Sequence, residues 1–107
     1  NQEGTRMSIE RSLDNLATKL GRKESPELEK LLIDNVTLCW AQYNKTTWQY
    51  ESAVKEGLSI KQFEFWDRHV DRAHQRYLRA CEELARIRRL LRPLQVNIGM
   101  NQVNMVK

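Results

Sequence analysis

One run of apolar residues restricts the fold more than anything else in the chain. Phe63, Trp66, Val70, Ala73, Tyr77, Ala80, Leu84, Ile87 and Leu91 alternate at three- and four-residue intervals without a break. A spacing averaging 3.5 residues keeps one face of an α-helix apolar over about four heptads and favours left-handed packing against another helix. A strand needs a period of two, which this run lacks. The residues around 59–92 are therefore expected to form one long helix. Ser59 and Gln62 stand at capping-box spacing at its start, and Pro93 is expected to end it.

A partner for that face lies just upstream. Leu32, Val36, Cys39, Tyr43, Thr46, Tyr50 and Ala53 follow a four-three alternation, which predicts a helix over about 25–56. Ser25, Pro26 and Glu27 look like its start, with Ser25 as N-cap, and Gly57 like its stop. Only Gly57, Leu58 and Ser59 separate the two helices. So short a link predicts an antiparallel hairpin over 25–92, each arm about 45–50 Å long at about 1.5 Å per residue. Leu31 and Leu38 fall on another side of the earlier helix, so it offers apolar surface to more than one neighbour. Trp48 also lies off the main seam and is expected to be exposed or intersubunit.

Two shorter segments flank the hairpin. Residues 1–24 read as a short helix over about 8–20, closed by Gly21 and followed by a polar link. In residues 93–107, Val96, Ile98 and Met100 alternate with Asn97 and Gly99, and Val103 and Met105 alternate in the opposite phase. That pattern predicts a strand or strand hairpin tail. The expected class is mainly α: a coiled-coil-like hairpin with an N-terminal helix and a C-terminal strand tail.

A chain of 107 residues built from two long helices buries less than a compact globule, so a homo-oligomer is expected. Its contacts are assigned to Phe63, Trp66, Val70, Tyr77, Leu84, Ile87 and Leu91 on the long seam. Val96, Ile98, Val103 and Met105 on the tail complete them. The chain opens on Asn1 rather than methionine and is expected to be a piece of a longer protein. No apolar run has the roughly 18–20 residues of a membrane span. Cys39 and Cys81 are read as reduced core thiols in a cytoplasmic protein.

Catalysis is not expected, because no phosphate-binding loop, metalloprotease motif or nucleophile elbow occurs. No cofactor or metal is expected either. His69 and His74 are five residues apart, which splays them by about 140° on a helix of 3.6 residues per turn. They are read as a solvated face. Glu64, Asp67 and Asp71 share a face with Arg68 and Arg72 and are read as ion-paired surface.

Basic charge is concentrated instead. The net charge of +4 arises almost wholly within residues 76–92, where Arg76, Arg79, Arg86, Arg88, Arg89 and Arg92 oppose only Glu82 and Glu83. Guanidinium groups suit phosphate because the planar fork donates paired hydrogen bonds. Arg86, Arg88 and Arg89 flank Ile87 and are expected to point away from the seam. These six arginines are the candidate phosphate contacts; the other reading is that they offset the helix dipole and pair with Glu82 or Glu83.

The segment ACEELARIRRLLRP followed by LQVNIGMNQVNMVK resembles uncharacterised bacterial and prophage proteins. More loosely, residues 25–107 resemble the C-terminal oligomerisation region of phage small terminase subunits. The resemblance implies a hairpin that builds a ring, a C-terminal strand shared between subunits, and presentation of double-stranded DNA to a larger packaging protein. Residues 1–24 are too short for the helix-turn-helix that usually precedes this region. The competing function is a structural adaptor whose tail adds a strand to a partner protein.

Overall fold

The computed structural model describes the backbone of residues 2–106; surroundings of side chains are described for 10–91 and for Gly4, Met7 and Ser8. It contains α1 (Gln2–Lys19), a single 3-10 turn (Arg22–Glu24), α2 (Glu27–Glu56) and α3 (Ile60–Val106). α2 and α3 pack along each other as the expected hairpin, and α1 lies against α2.

The turn between the arms follows its sequence closely. Gly57 closes α2 with φ 94° and ψ 130°, a region open to glycine and costly for any residue with a Cβ. Its N–H donates to the Val54 carbonyl at 3.1 Å. Ser59 and Gln62 then form a reciprocal capping box. The Ser59 N–H donates to Gln62 Oε1 at 2.9 Å, and the Gln62 N–H donates to Ser59 Oγ at 3.3 Å. Two otherwise orphaned donors at the helix start are satisfied in this way.

At the other end, Gly21 takes the left-handed conformation (φ 78°, ψ 36°), and its N–H donates to the Thr18 carbonyl at 3.0 Å. This is the C′ role its sequence position predicts. Ser25 is not the N-cap of α2. Pro26 holds that position without a side-chain cap, and the Ser25 hydroxyl donates to the Gly21 carbonyl at 2.7 Å. The hydroxyl is turned toward the preceding turn, and its oxygen accepts from Arg88 Nη2 at 3.4 Å rather than from an α2 amide.

Burial is uneven along the hairpin. Ile33, Val36, Cys39, Ala80 and Leu84 form one core cluster at the base, and Leu16 and Ala17 of α1, with Leu20 just beyond its end, pack against it. Toward the turn there are only two layers. There Thr46 and Ala73 are buried, where small side chains let the helices approach closely. Aromatic pairs hold the remaining length: Tyr43 stacks on Tyr77, and Tyr50 stacks on Trp66 with Phe63 at its edge, all at centroid distances of 6.4 Å. Such pairs each add about 0.5–1.5 kcal/mol beyond the area they bury.

The long α3 seam faces inward. Tyr77 and Leu84 meet α2, and Trp66 and Val70 are half-buried, so residues assigned to contacts between subunits are used within the chain. Phe63, near the turn, stays 41 % exposed. The strand tail is not supported, because no strand occurs among the described residues and α3 is bounded at Val106 rather than at Pro93. A strand leaves its N–H and C=O groups without partners unless another strand lies beside it, whereas a helix pairs them within the segment. Proline has a helical φ, but it withdraws its own donor and its ring crowds the carbonyl four residues back, so a helix that continues through it does so at a cost. The side chains of Val96, Ile98, Val103 and Met105 lie outside the described residues.

Candidate nucleic-acid interface

Plotted at about 100° per residue, the apolar seam of α3 occupies one side and a second seam runs directly behind it. Arg68, Arg72, Gln75, Arg79, Glu82, Arg86 and Arg89 recur at four- and three-residue intervals, the same heptad spacing as the core. All seven are exposed, and Arg76 stands at the border. Because their spacing averages 3.5 residues, they stay in line along the outer face for about 32 Å at about 1.5 Å per residue.

These side chains are also uncommitted. Among the described residues, none of Arg68, Arg72, Arg76, Arg79, Arg86 and Arg89 lies in ion-pair range of a carboxylate. The expected pairing of Arg86 with Glu82 or Glu83 is not among the ion pairs formed. Nor do Glu64, Asp67 and Asp71 pair with Arg68 or Arg72. What remains is a line of guanidinium groups that can each donate a fork of hydrogen bonds to a planar or tetrahedral anion.

Arg88 belongs elsewhere. It sits four residues after Leu84 and three before Leu91, which puts it on the inner face beside them. Its Nε donates to Glu29 Oε2 at 3.1 Å, and its Nη2 donates to the Leu20 carbonyl and to Ser25 Oγ, the latter at 3.4 Å. One guanidinium thus ties α3 to the end of α1, to the link and to the first turn of α2. It lines an open depression of about 390 Å³ with Leu20, Gly21, Glu24, Ser25, Pro26, Glu29 and Leu91. The expectation that Arg88 points away from the seam is corrected by this geometry. The side chain of Arg92 lies outside the described residues.

The remaining polar groups are local. His74 is not a solvated group; it is half-buried and its ring lies 5.0 Å from that of Tyr43. His69 is exposed and stacks on Phe65 at 5.5 Å. Cys39 and Cys81 are free thiols, the first buried and the second packed against the core cluster. Burial, and then Cys81, push the Tyr77 phenol above its ordinary value. Among the described residues no helix is long and apolar enough to cross a membrane, and no three ligating side chains converge as for a metal ion.

One exposed ion pair has a titration consequence. Arg22 Nε and Nη2 donate to the two carboxylate oxygens of Asp34 at 2.8 and 3.1 Å. The hydrogen bond from Arg22 holds the Asp34 carboxyl below its ordinary value of 3.8. A carboxylate whose folded value is depressed contributes stability above its unfolded value and loses it as pH falls through the folded one. Carboxyl NMR is expected to show Asp34 titrating below 3.8 and moving up toward it in Arg22→Gln. A titration unmoved by that substitution would contradict the pair.

No family model, curated protein or solved structure matches the chain, so its function is read from its own residues.

Proposed function

We propose that the protein is a non-enzymatic, DNA-associated scaffold that uses the outer face of α3 to hold phosphate backbone. The observation that supports this most is the second heptad seam: five exposed arginines in line behind the core, without a carboxylate partner among the described residues. Arginines that serve only to offset a helix dipole act within the last turn. Here Arg68 and Arg72 lie early in α3. A straight row of guanidinium groups reads charge and spacing but not base edges, so binding is independent of sequence. Genome packaging, with a larger packaging protein as partner, is the setting that the resemblance to small terminase subunits suggests for such a face.

Fluorescence anisotropy with a short duplex tests this directly. Four phosphate contacts give a log–log salt slope of about −3.6, and each arginine lost reduces it by about one. The quadruple variant Arg72→Gln, Arg79→Gln, Arg86→Gln, Arg89→Gln is expected to weaken low-salt binding by about a hundredfold or more. Gln75→Ala, on the same seam, is expected to leave it unchanged. Absence of binding at low salt, or binding that salt does not weaken, overturns the proposal in favour of a protein-binding adaptor.

A further inference from the structure

The outer face of α2 carries apolar side chains that no described residue covers. Leu31 is 66 % exposed, Leu38 57 % and Trp48 51 %. They belong to a stripe of six, Leu31, Asp34, Leu38, Ala41, Lys45 and Trp48, at intervals of three, four, three, four and three. The stripe stays within a wedge of about 100° on the side away from α3. Its intervals read the same in both directions, so it can be superposed on an inverted copy of itself.

We infer that this stripe pairs with the same stripe of a second copy of the chain, antiparallel, about a two-fold axis midway between Leu38 and Ala41. In that register Leu31 meets Trp48 of the second copy, Leu38 meets Ala41, and Asp34 meets Lys45. Every apolar residue faces an apolar one, the small Ala41 makes room for Leu38, and each charge meets its opposite. A parallel two-fold arrangement would set Asp34 on Asp34 and Lys45 on Lys45, which like-charge repulsion disfavours. Asp34 already accepts two hydrogen bonds from Arg22, yet a carboxylate has about four lone-pair sites and retains room for a lysine. Isologous contact is the ordinary form of a two-fold dimer, and three-four spacing is the geometry that keeps two helices in register. The contact runs about 26 Å along a single helix pair at about 1.5 Å per residue, so it is a small interface of micromolar rather than nanomolar affinity. It makes no use of the arginine face, and its test contains no DNA.

Sedimentation equilibrium of the full chain over about 1–500 µM is expected to show monomer passing to dimer, bracketing that micromolar affinity. Leu38→Lys is expected to raise the dissociation constant by about a hundredfold, because it places a charge at the centre of the contact. Its side chain is already exposed, so circular dichroism should remain helical. Lys45→Glu is expected to raise the constant about tenfold, more at low salt, by setting the introduced carboxylate against Asp34 of the second copy. Mixing Asp34→Lys chains with Lys45→Glu chains is expected to restore the dimer, since both cross-contacts then join opposite charges. A chain that stays monomeric at the highest concentration overturns the inference. So does an assembly that is indifferent to Leu38→Lys, or one that Lys45→Glu leaves unweakened.

Discussion

Ile33→Ala is expected to lower the free energy of unfolding by about 2–5 kcal/mol, the range for removing a fully buried branched side chain. Ile33 is 0 % exposed and lies with Val36 and Leu84 beneath the end of α1. Deleting its methyl and methylene groups removes their transfer free energy and leaves a cavity that three converging elements cannot collapse to fill. In a domain of this size each kcal/mol shifts the melting temperature by roughly 4–8 °C, so a loss of tens of degrees at the upper end is readable by calorimetry. Leu38→Ala provides the contrast: the same chemistry on the exposed side of α2 should move the monomer's stability by no more than about 0.5 kcal/mol. Equal effects at the two positions would mean that the base cluster is not the core.

Arg88→Met is expected to cost about 2–3 kcal/mol, with the damage concentrated in α1. The substitution keeps an unbranched stem but removes every donor. Glu29, whose side chain is only 12 % exposed, then loses its cation, and the Leu20 carbonyl and Ser25 hydroxyl lose the donor they share. The Arg88 side chain is itself 34 % exposed, so water recovers part of the loss and the figure stays below that of a sealed pair. Hydrogen exchange should accelerate in α1 more than around Thr46 and Ala73. Arg88→Lys should restore only part of the loss, because a single ammonium cannot serve acceptors on three segments in the fork geometry of a guanidinium. Adding Glu29→Gln to Arg88→Met should recover stability by removing the stranded charge, a coupling that a double-mutant cycle measures. Uniform acceleration along the chain would show that Arg88 does not act through α1.

The two arginine-bearing faces of α3 show what a sequence carries openly and what it hides. Hairpin, turn and capping box were legible because each depends on spacing within a few residues: the three-four alternation, a positive-φ glycine, Ser59 and Gln62 three apart. The inner position of Arg88 was legible as well, since 84, 88 and 91 share a helical face, but a charge rule that places every arginine outside conceals it. Its acceptors on Leu20, Ser25 and Glu29 are 59 to 68 residues away in the chain, and no local pattern announces them. The 93–107 segment failed differently. Alternation of Val, Ile and Met records a tendency toward strand, yet a strand exists only beside another, and that neighbour is a property of the assembly rather than of the segment. In the sequence the second heptad on α3 shows only as separate arginines, because Gln75 and Glu82 interrupt the composition while preserving the geometry.

The uneven burial along the hairpin also fixes how the molecule breathes. Three layers meet at the base, around Ile33 and Leu84, whereas aromatic pairs between two helices close the end near Gly57. Local opening free energy follows local burial, so amides beside the turn exchange through small, frequent openings and those at the base only when the whole chain unfolds. The arginine face crosses from one regime to the other. Arg68 and Arg72 ride on the part that yields, and Arg86 and Arg89 on the part that holds. On the proposed phosphate-binding reading, a curved polyanion would meet a grip anchored at one end and compliant at the other.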